Sequence, residues 1–394
     1  MSSRPAVPAV TSDTARTWVE VDLGRIAANV GTLRKRLPDD TGILMTVKAD
    51  AYGHGLVAVS RAALGAGVWG LGVAALSEAR ILRREGIAGP IVCLMPILPG
   101  EAADAVALDI VPAVTAWEQA EALAAAARSA GRRLPVHVEV DTGMGRAGVR
   151  DEDAAALVLR IHNELQGLIL DGIFTHFASA DEADSSFTEH QLDRFDALLE
   201  ALADRGVRPA RVHAANSAAA LRFRRAARAV VRPGIALYGA TGEIATGGDA
   251  GWRGDDVFEP ALSWHARVVT VKTLAAGDAV SYHRRYIAAG AERIAVLAVG
   301  YGDGWPLPLS NRGHVLLRGR STPIRGAVCM DLTMVDATPF PDLEAGEVAT
   351  LLGRQGEERQ GVEDVGREAG LMSYAVLTGI GSRVPRVYLE TDRT

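Results

Sequence analysis

Short apolar runs alternate with longer amphipathic ones over the first 240 residues of the chain. After WVEVDL (18–23) and a helical stretch over 24–36 come eight strand-like runs. These are ILMTVKA (43–49), VWGLGVA (68–74), PIVCLM (90–95), DIVPAV (109–114), PVHVEVD (135–141), LDGIFTHF (170–177), RVHAAN (211–216) and VVRPGIALYG (230–239). Between them, ALSEARILRREG, TAWEQAEALAAAARSAG, EDAAALVLRIHNEL and FTEHQLDRFDALLEALADRG carry helical spacing. Gly86, Gly131 and Gly206 stand where helix-ending glycines belong. Strands and helices alternating eightfold predict a (β/α)8 TIM barrel. A doubly wound open sheet is the competing arrangement, but no dinucleotide fingerprint follows a first strand.

Residues 240–256 (ATGEIATGGDAGWRGDD) are rich in Gly and Asp and read as a linker or long loop. Beyond them the rhythm changes to short β-type runs with turn residues between: ALSWHARVVTV, DAVSYHRRYIA, RIAVLAV, HVLLRG, TPIRGAVCM, DLTMVDA and EVATLLG. The division that follows is a tail over 1–14, a barrel over 15–245 and a mostly β C-terminal domain over 246–394. The strand near 17–23 is a candidate to pack with the second domain. No internal repeat and no long low-complexity segment appears.

The composition is that of a globular protein: 394 residues, 48% hydrophobic and 23% charged. A net charge of −6 without a basic patch argues against a nucleic-acid partner. No apolar run approaches the ~18 residues of a membrane span. The opening MSSRPAVPAVTS lacks an apolar core and reads as a frayed tail with no signal peptide. Cys93 and Cys329 are too few for a disulfide framework, so the expected compartment is the cytoplasm.

One count stands out. Of 42 basic residues, only Lys35, Lys48 and Lys272 are lysine, which leaves 39 arginines. A lysine kept in an apolar setting is a candidate for chemistry that a guanidinium, which holds its proton, cannot perform. Lys35 lies in a charged helix end and Lys272 in a half-exposed alternating run, whereas Lys48 follows ILMTV and precedes ADAYGHG.

In a barrel of this type the active site lies at the C-terminal ends of the strands. The unusual polar residues fall there: Lys48, Asp141 to Arg146, His176, His213, Asn216, Ser217, Arg232 and Gly234. Strand parity puts Val136, Val138 and Val140 on the helix side and His137, Glu139 and Asp141 toward the axis, with Arg146 the obvious partner for Glu139. His137, His176, His213 and Asp141 are metal-ligand types, but no H-x-H or H-E-x-x-H spacing groups them. Asn216-Ser217 opening a helix, with Arg232-Pro233-Gly234 nearby, suits a phosphate as well as a plain helix cap. A lysine opposite a phosphate site is what pyridoxal phosphate requires, since the lysine forms a Schiff base with it.

TVKADAYGHG (46–55) resembles the cofactor-lysine signature of the alanine racemases. The resemblance runs on, in order, through VEVDTGMGRAG (138–148), FTHFASADE (174–182), HAANSAA (213–219), VRPGIALYG (231–239), GDAVSYHRRY (277–286), VGYGDG (299–304), VCMD (328–331) and SYAVLTGIGSRVPRVY (373–388). It implies a barrel followed by a β domain, pyridoxal 5'-phosphate as cofactor, and a homodimer whose active sites are shared. It implies that Lys48 binds the cofactor and is one catalytic base. By the same resemblance the other base would be Tyr282, contributed by the partner and assisted through His176, Arg232 and His213. Arg232 would face the pyridine nitrogen. Tyr52, Ser217, Gly234, Ile235 and Tyr374 would hold the phosphate, with Asn216 also at the cofactor; Arg146 would contact the cofactor's phenolic oxygen and the substrate carboxylate, and Met330, from the partner, would lie at that carboxylate with Asp331 beside it.

Four positions depart from the pattern that the resemblance brings. Glu139 stands where many members carry a carbamylated lysine, and is expected to replace that anion by pairing with Arg146. His283 stands where glycine is common. Leu307 and Ala327 stand where arginines line the entrance, which suggests serine or larger amino acids as further substrates. A decarboxylase of basic amino acids on a related architecture is the competing enzyme. A cofactor-carrying lone barrel is the competing non-enzyme, opposed by the length of chain after the linker.

Overall fold

The computed structural model describes residues 13–254 and 257–389. Most of the tail expected over 1–14 lies outside them, since residues 1–12 are not described. The chain forms two compact units: Arg25–Glu259, and the residues up to Gly24 together with those from Pro260 onward.

The first strand, β1 (Thr17–Asp22), belongs to the second unit. The first unit is the barrel. Its strands are β2 (Gly42–Thr46), β3 (Gly70–Val73), β4 (Ile91–Pro96), β5 (Val111–Val114), β6 (Leu134–Asp141), β8 (Leu168–Thr175), β9 (Arg211–His213) and β10 (Val230–Val231), with a short β7 (Val149–Arg150) beside β6. Each of the eight apolar runs overlaps one of these strands. All are parallel, and two pairings close the ring: β10 with β2, and β5 with β6. Parallel strands covered on both faces need near-continuous apolar sequence; Leu44, Val92, Val111 and Val230 form one buried cluster, flanked by Trp69 and Leu94. Val136, Val138 and Val140 are buried, and so are His137, Glu139 and Asp141 on the opposite parity. Gly86, Gly131 and Gly206 all adopt the left-handed backbone just beyond their helices.

The segment read as a linker or long loop is a loop, packed on the barrel as far as it is described. Trp252 is buried, Arg36 lies over its ring at 5.6 Å, and the Ala250 N–H donates to the Arg222 carbonyl. The barrel unit therefore runs to Glu259, beyond the 245/246 division read from the sequence. Burial of an indole outweighs the loop-like composition around it.

The second unit is built on a long strand, β11 (Leu262–Leu274), with β14 (Glu292–Leu297), β15 (His314–Leu317), β16 (Arg320–Pro323), β17 (Thr333–Asp336), β18 (Val348–Gln355), β19 (Glu358–Gln360) and β20 (Arg386–Leu389). A separate two-stranded hairpin joins β12 (Ala279–Val280) to β13 (Tyr286–Ile287). β1 lies between β11, to which it is antiparallel, and β20, to which it is parallel. Among the described residues no helix is long and apolar enough to cross a membrane.

Candidate active site

Lys48 follows β2 by two residues and opens an unusual turn. Ala49, Asp50, Ala51 and Tyr52 all have φ of 53–54°. A left-handed helical conformation costs roughly 1–2 kcal/mol per non-glycine residue, so this turn stands only because its surroundings hold it. The Ala49 N–H donates to Glu78 Oε1 (2.7 Å), the Leu56 N–H donates to Asp50 Oδ1 (2.8 Å), and Tyr52 stacks on Tyr238 with ring centroids 4.8 Å apart. Strain of this kind gathers at functional sites. Burial lowers the pKa of Lys48, and the charges of Arg146 and Arg232 lower it further against the opposing carboxylate of Glu78.

Across the barrel mouth, Tyr52, Ser217, Gly234 and Ile235 come together. The N–H groups of Gly234 and Ala236 both donate to Ser217 Oγ, at 2.9 and 3.2 Å. A Cβ on Gly234 would run into the Tyr52 hydroxyl, so the cradle closes on the backbone only where glycine stands. Asn216, not Ser217, caps the short helix Ser217–Arg222, its Oδ1 accepting from the Ala219 N–H at 2.9 Å. Ser217 thus keeps its hydroxyl at the 234–236 turn.

Arg232 is almost fully buried in the barrel, following β10. Its Nη1 donates to His213 Nδ1 (2.9 Å); its Nη2 donates to the carbonyls of Thr175 (2.8 Å) and Ala214 (3.1 Å) and faces His176 Nδ1 at 3.3 Å. The guanidinium lies over Phe174, 5.1 Å from the ring centroid. Burial lowers its pKa to about 10, which leaves it charged at neutral pH. His176 and His213 are pushed well below the usual imidazole range, first by burial and then by the Arg232 charge. Arg146 lies on the loop after β6. Asp141 shapes that loop by accepting from the N–H groups of Gly143 (2.9 Å) and Gly145 (3.1 Å).

The expected Glu139–Arg146 ion pair is not made. Glu139 is 3% exposed and its Oε2 has no hydrogen-bond partner. Burial raises its pKa while the Arg232 and Arg146 charges pull it down through space. The Asp141 turn fixes the course of the Arg146 loop, and no direct bond between the two side chains results.

The remaining predicted residues belong to the second unit. Tyr282 (68% exposed) sits at the tip of the β12–β13 hairpin, between Ser281 (φ 67°) and His283 (φ 59°). Tyr282, Met330 and Asp331 line one cavity of about 590 Å³, whose wall includes Val269, Ile294 and Met334. Asp331 is held by Arg383 Nη2 at 2.7 Å, and Arg383 Nε in turn donates to Asp303 Oδ1 at 2.7 Å. Tyr374 lies on the helix Ser373–Thr378 of the same unit. Leu307 is exposed, whereas Ala327 is buried with its carbonyl accepting from Ser281 Oγ. Sequence reasoning missed Arg383 and Asp303, which brace the 330–331 segment; their signal lay inside the motifs SRVPR and YGDG. It also missed Glu78, which gave no signal beyond an ordinary helix start.

A parallel barrel with a strained, desolvated lysine at its C-terminal mouth, joined in sequence to a β-rich unit, defines a class of enzyme that works on a small substrate through that amine. The family model for the alanine racemase N-terminal domain matches residues 21–242, and that for the alanine racemase C-terminal domain matches 261–388. The chain is 42% identical over 380 residues to the alanine racemase of Geobacillus stearothermophilus, covering 96% of this chain and 94% of that one. It superposes on the crystal structure of alanine racemase from Bacillus anthracis with bound L-Ala-P with a TM-score of 0.88, at 37% identity and with 97% and 96% of the chains covered. Against alanine racemase from Bartonella henselae with covalently bound pyridoxal phosphate, the TM-score is 0.83 at 26% identity, covering 95% and 100%. The chain belongs to the alanine racemase family, and is an isomerase acting on amino acids.

Proposed function

We propose that this chain interconverts L- and D-alanine with pyridoxal phosphate bound at Lys48, and that Lys48 and Tyr282 of the partner subunit are its two bases. The observation that carries this reading is Lys48 itself: one of three lysines in the chain, desolvated, in a left-handed turn at the barrel mouth. The barrel residues fit the cofactor. The cradle against Gly234, with Ser217, the 234–236 N–H groups and the Tyr52 phenol, would hold the phosphate, and Arg232 would face the ring. When bound, the cofactor supplies the sink for the electron pair left on the α-carbon.

The rest is done by side chains. The lowered pKa favours the neutral form of the Lys48 amine, the form able to join the cofactor and then to take or return the α-proton at Nζ. Arg232, charged and donor-only, would face the ring nitrogen without giving up its proton, and a sink so arranged would be weak and would limit side reactions. A phenol gives up its proton to a neighbouring base only reluctantly at neutral pH, so the role of Tyr282 at the opposite face rests on assistance by the His176–Arg232–His213 group of the other chain. Two bases on opposite faces invert the stereocentre in either direction. Tyr374 is assigned to the phosphate, Arg146 to the substrate carboxylate, and Met330, from the partner subunit, to the same carboxylate with Asp331 beside it. With Cys93 and Cys329 both free thiols, the compartment proposed is the cytoplasm.

Borohydride treatment of the purified protein, followed by peptide mass spectrometry, is expected to place the cofactor on Lys48, and a D/L assay to show racemisation. Label elsewhere, or carbon dioxide release without racemisation, overturns the reading. Sharing of sites is tested by mixing Lys48→Ala and Tyr282→Phe chains, each inactive alone. A C2 dimer with shared sites regains about a quarter of wild-type activity, since half the dimers are mixed and each has one intact site. Departure from the entrance arginines at Leu307 and Ala327 supports relaxed substrate choice; kcat/KM for serine and lysine within a small factor of that for alanine is the expected result, and strict alanine preference removes it.

A further inference from the structure

Behind Arg232 a column of side chains continues down the barrel axis, past anything the proposed reaction uses. His213 Nε2 lies 2.9 Å from His137 Nδ1, and His137 Nε2 lies 3.0 Å from Asp171 Oδ2. Asp171 Oδ1 is ion-paired with Arg211, whose guanidinium stacks over Trp69 at 4.8 Å. His137 and His213 are fully buried, while Asp171 and Arg211 are partly exposed. Phe174 stacks on His213, with centroids 4.7 Å apart and planes 11° from parallel.

The two ends of this column fix the direction of every bond within it. A guanidinium only donates, so His213 Nδ1 must accept from Arg232. Its proton is then on Nε2, which donates to His137 Nδ1. The His137 proton is on Nε2 and goes to Asp171, which as a carboxylate only accepts. Arg211 keeps that carboxylate charged. Gly172, next to Asp171, is a requirement of the column: a Cβ there would stand 2.6 Å from His137 Cδ2 and 2.7 Å from the Arg211 carbonyl.

We propose that His137, anchored by the Asp171–Arg211 pair, is a positioning residue that locks His213 in its Nε2–H tautomer and so holds the Arg232 guanidinium in place at the cofactor. Were His213 to turn its other nitrogen proton toward Arg232, two donors would face each other and the guanidinium would have to move. Asp171 is the anchor of the column, His137 its middle link and Arg232 its working end. This inference rests on the reading of Lys48 as the cofactor lysine only for its kinetic arm; the tautomer arm does not depend on it.

The test compares His137→Leu with His137→Asn in the full-length, cofactor-loaded protein. Leucine removes the acceptor for His213, whereas the asparagine Oδ1 stands close to where Nδ1 of the ring stood. With 15N-labelled histidine, NMR is expected to show His213 as the Nε2–H tautomer in wild type and in His137→Asn, and as a mixture in His137→Leu. kcat for alanine is expected to fall about tenfold in His137→Leu with KM within about twofold, the loss of one buried hydrogen bond. His137→Asn recovers most of it, and the visible absorbance band of the bound cofactor shifts only in His137→Leu. Asp171→Leu, at the outer end of the column, is expected to loosen the His137 tautomer in the same way and serves if His137→Leu does not fold. Unchanged His213 tautomer and kcat in a folded His137→Leu overturn the proposal. So does a His137→Asn protein as impaired as His137→Leu, because the role would then be packing alone. Failure of borohydride to label Lys48, with the tautomers behaving as stated, overturns the cofactor reading and leaves the column standing.

Discussion

Glu139 is the residue at which the barrel departs furthest from a comfortable packing. Its carboxyl is buried, one oxygen lacks a donor, and the Arg146 and Arg232 charges act on it only through space. Burial raises its pKa above the ordinary 4.5. A raised acid binds its proton more tightly in the folded state. Its contribution to stability is therefore fully present below 4.5 and is lost as pH rises through the folded value. At neutral pH a charged carboxylate buried there is a cost to stability. Glu139→Gln is accordingly expected to gain about 1 kcal/mol of stability at pH 7 and to show no gain near pH 4, measured as denaturation midpoints at both values. If Glu139 supports Arg146 as an anion, the same variant loses racemase activity, and full activity would remove that role.

At the scale of elements, two turns are held in left-handed backbone without glycine: Ala49–Tyr52 after β2, and Ser281 with His283 and Arg284 in the β12–β13 hairpin. The second explains why glycine suits the position of His283. In Ala49→Gly, relief of roughly 1–2 kcal/mol of strain opposes the 0.4–1 kcal/mol or so that glycine costs through the unfolded chain. Strain relief outweighs that cost, so Tm is expected to rise by about 1–3 °C, read by thermal scanning. Glu78→Ala acts the other way on the same turn. It frees the Ala49 N–H, and also the N–H of Ala74 that Glu78 Oε2 accepts at 2.8 Å. It also removes the carboxylate that raises the Lys48 pKa. The expected result is weaker cofactor retention on dialysis with a Lys48 amine that titrates lower. Neither turn was legible in the sequence, because nothing in KADAY or SYHRR announces a left-handed chain; the identity of the lysine was, because arginine has replaced almost every other one. His137 was legible as an inward-facing residue from strand parity, but its partners were not. Asp171 and Arg211 come from other strands, and only the register of β6, β8 and β9 brings them together.

The whole molecule repeats that division between local and long-range information. Eight apolar runs specified eight barrel strands because each strand is covered on both faces, and the ring closes through pairings of like with like. The pairing of β1 with β20 joins the two ends of the chain, and no local pattern encodes it. The most global consequence of the site is acid sensitivity. His137, His176 and His213 are each held below the ordinary 6.5, burial being the largest cause in every case. For a base with a depressed folded pKa, stability is full above the unfolded value and falls as pH drops through it, since only the unfolded chain takes up the proton. One pH unit below 6.5, a histidine that stays neutral in the folded protein contributes at most about 1.4 kcal/mol to this fall. His265 is likewise held low by burial and Glu139 works in the opposite direction, so the histidines win. Stability from denaturant titrations is thus expected to fall between pH 7 and pH 5.5 in wild type, and less steeply in His137→Asn. A wild-type curve that is flat or rises over that interval would mean that at least two of these imidazoles are protonated in the folded protein, and the neutral, one-directional column behind Arg232 could not exist.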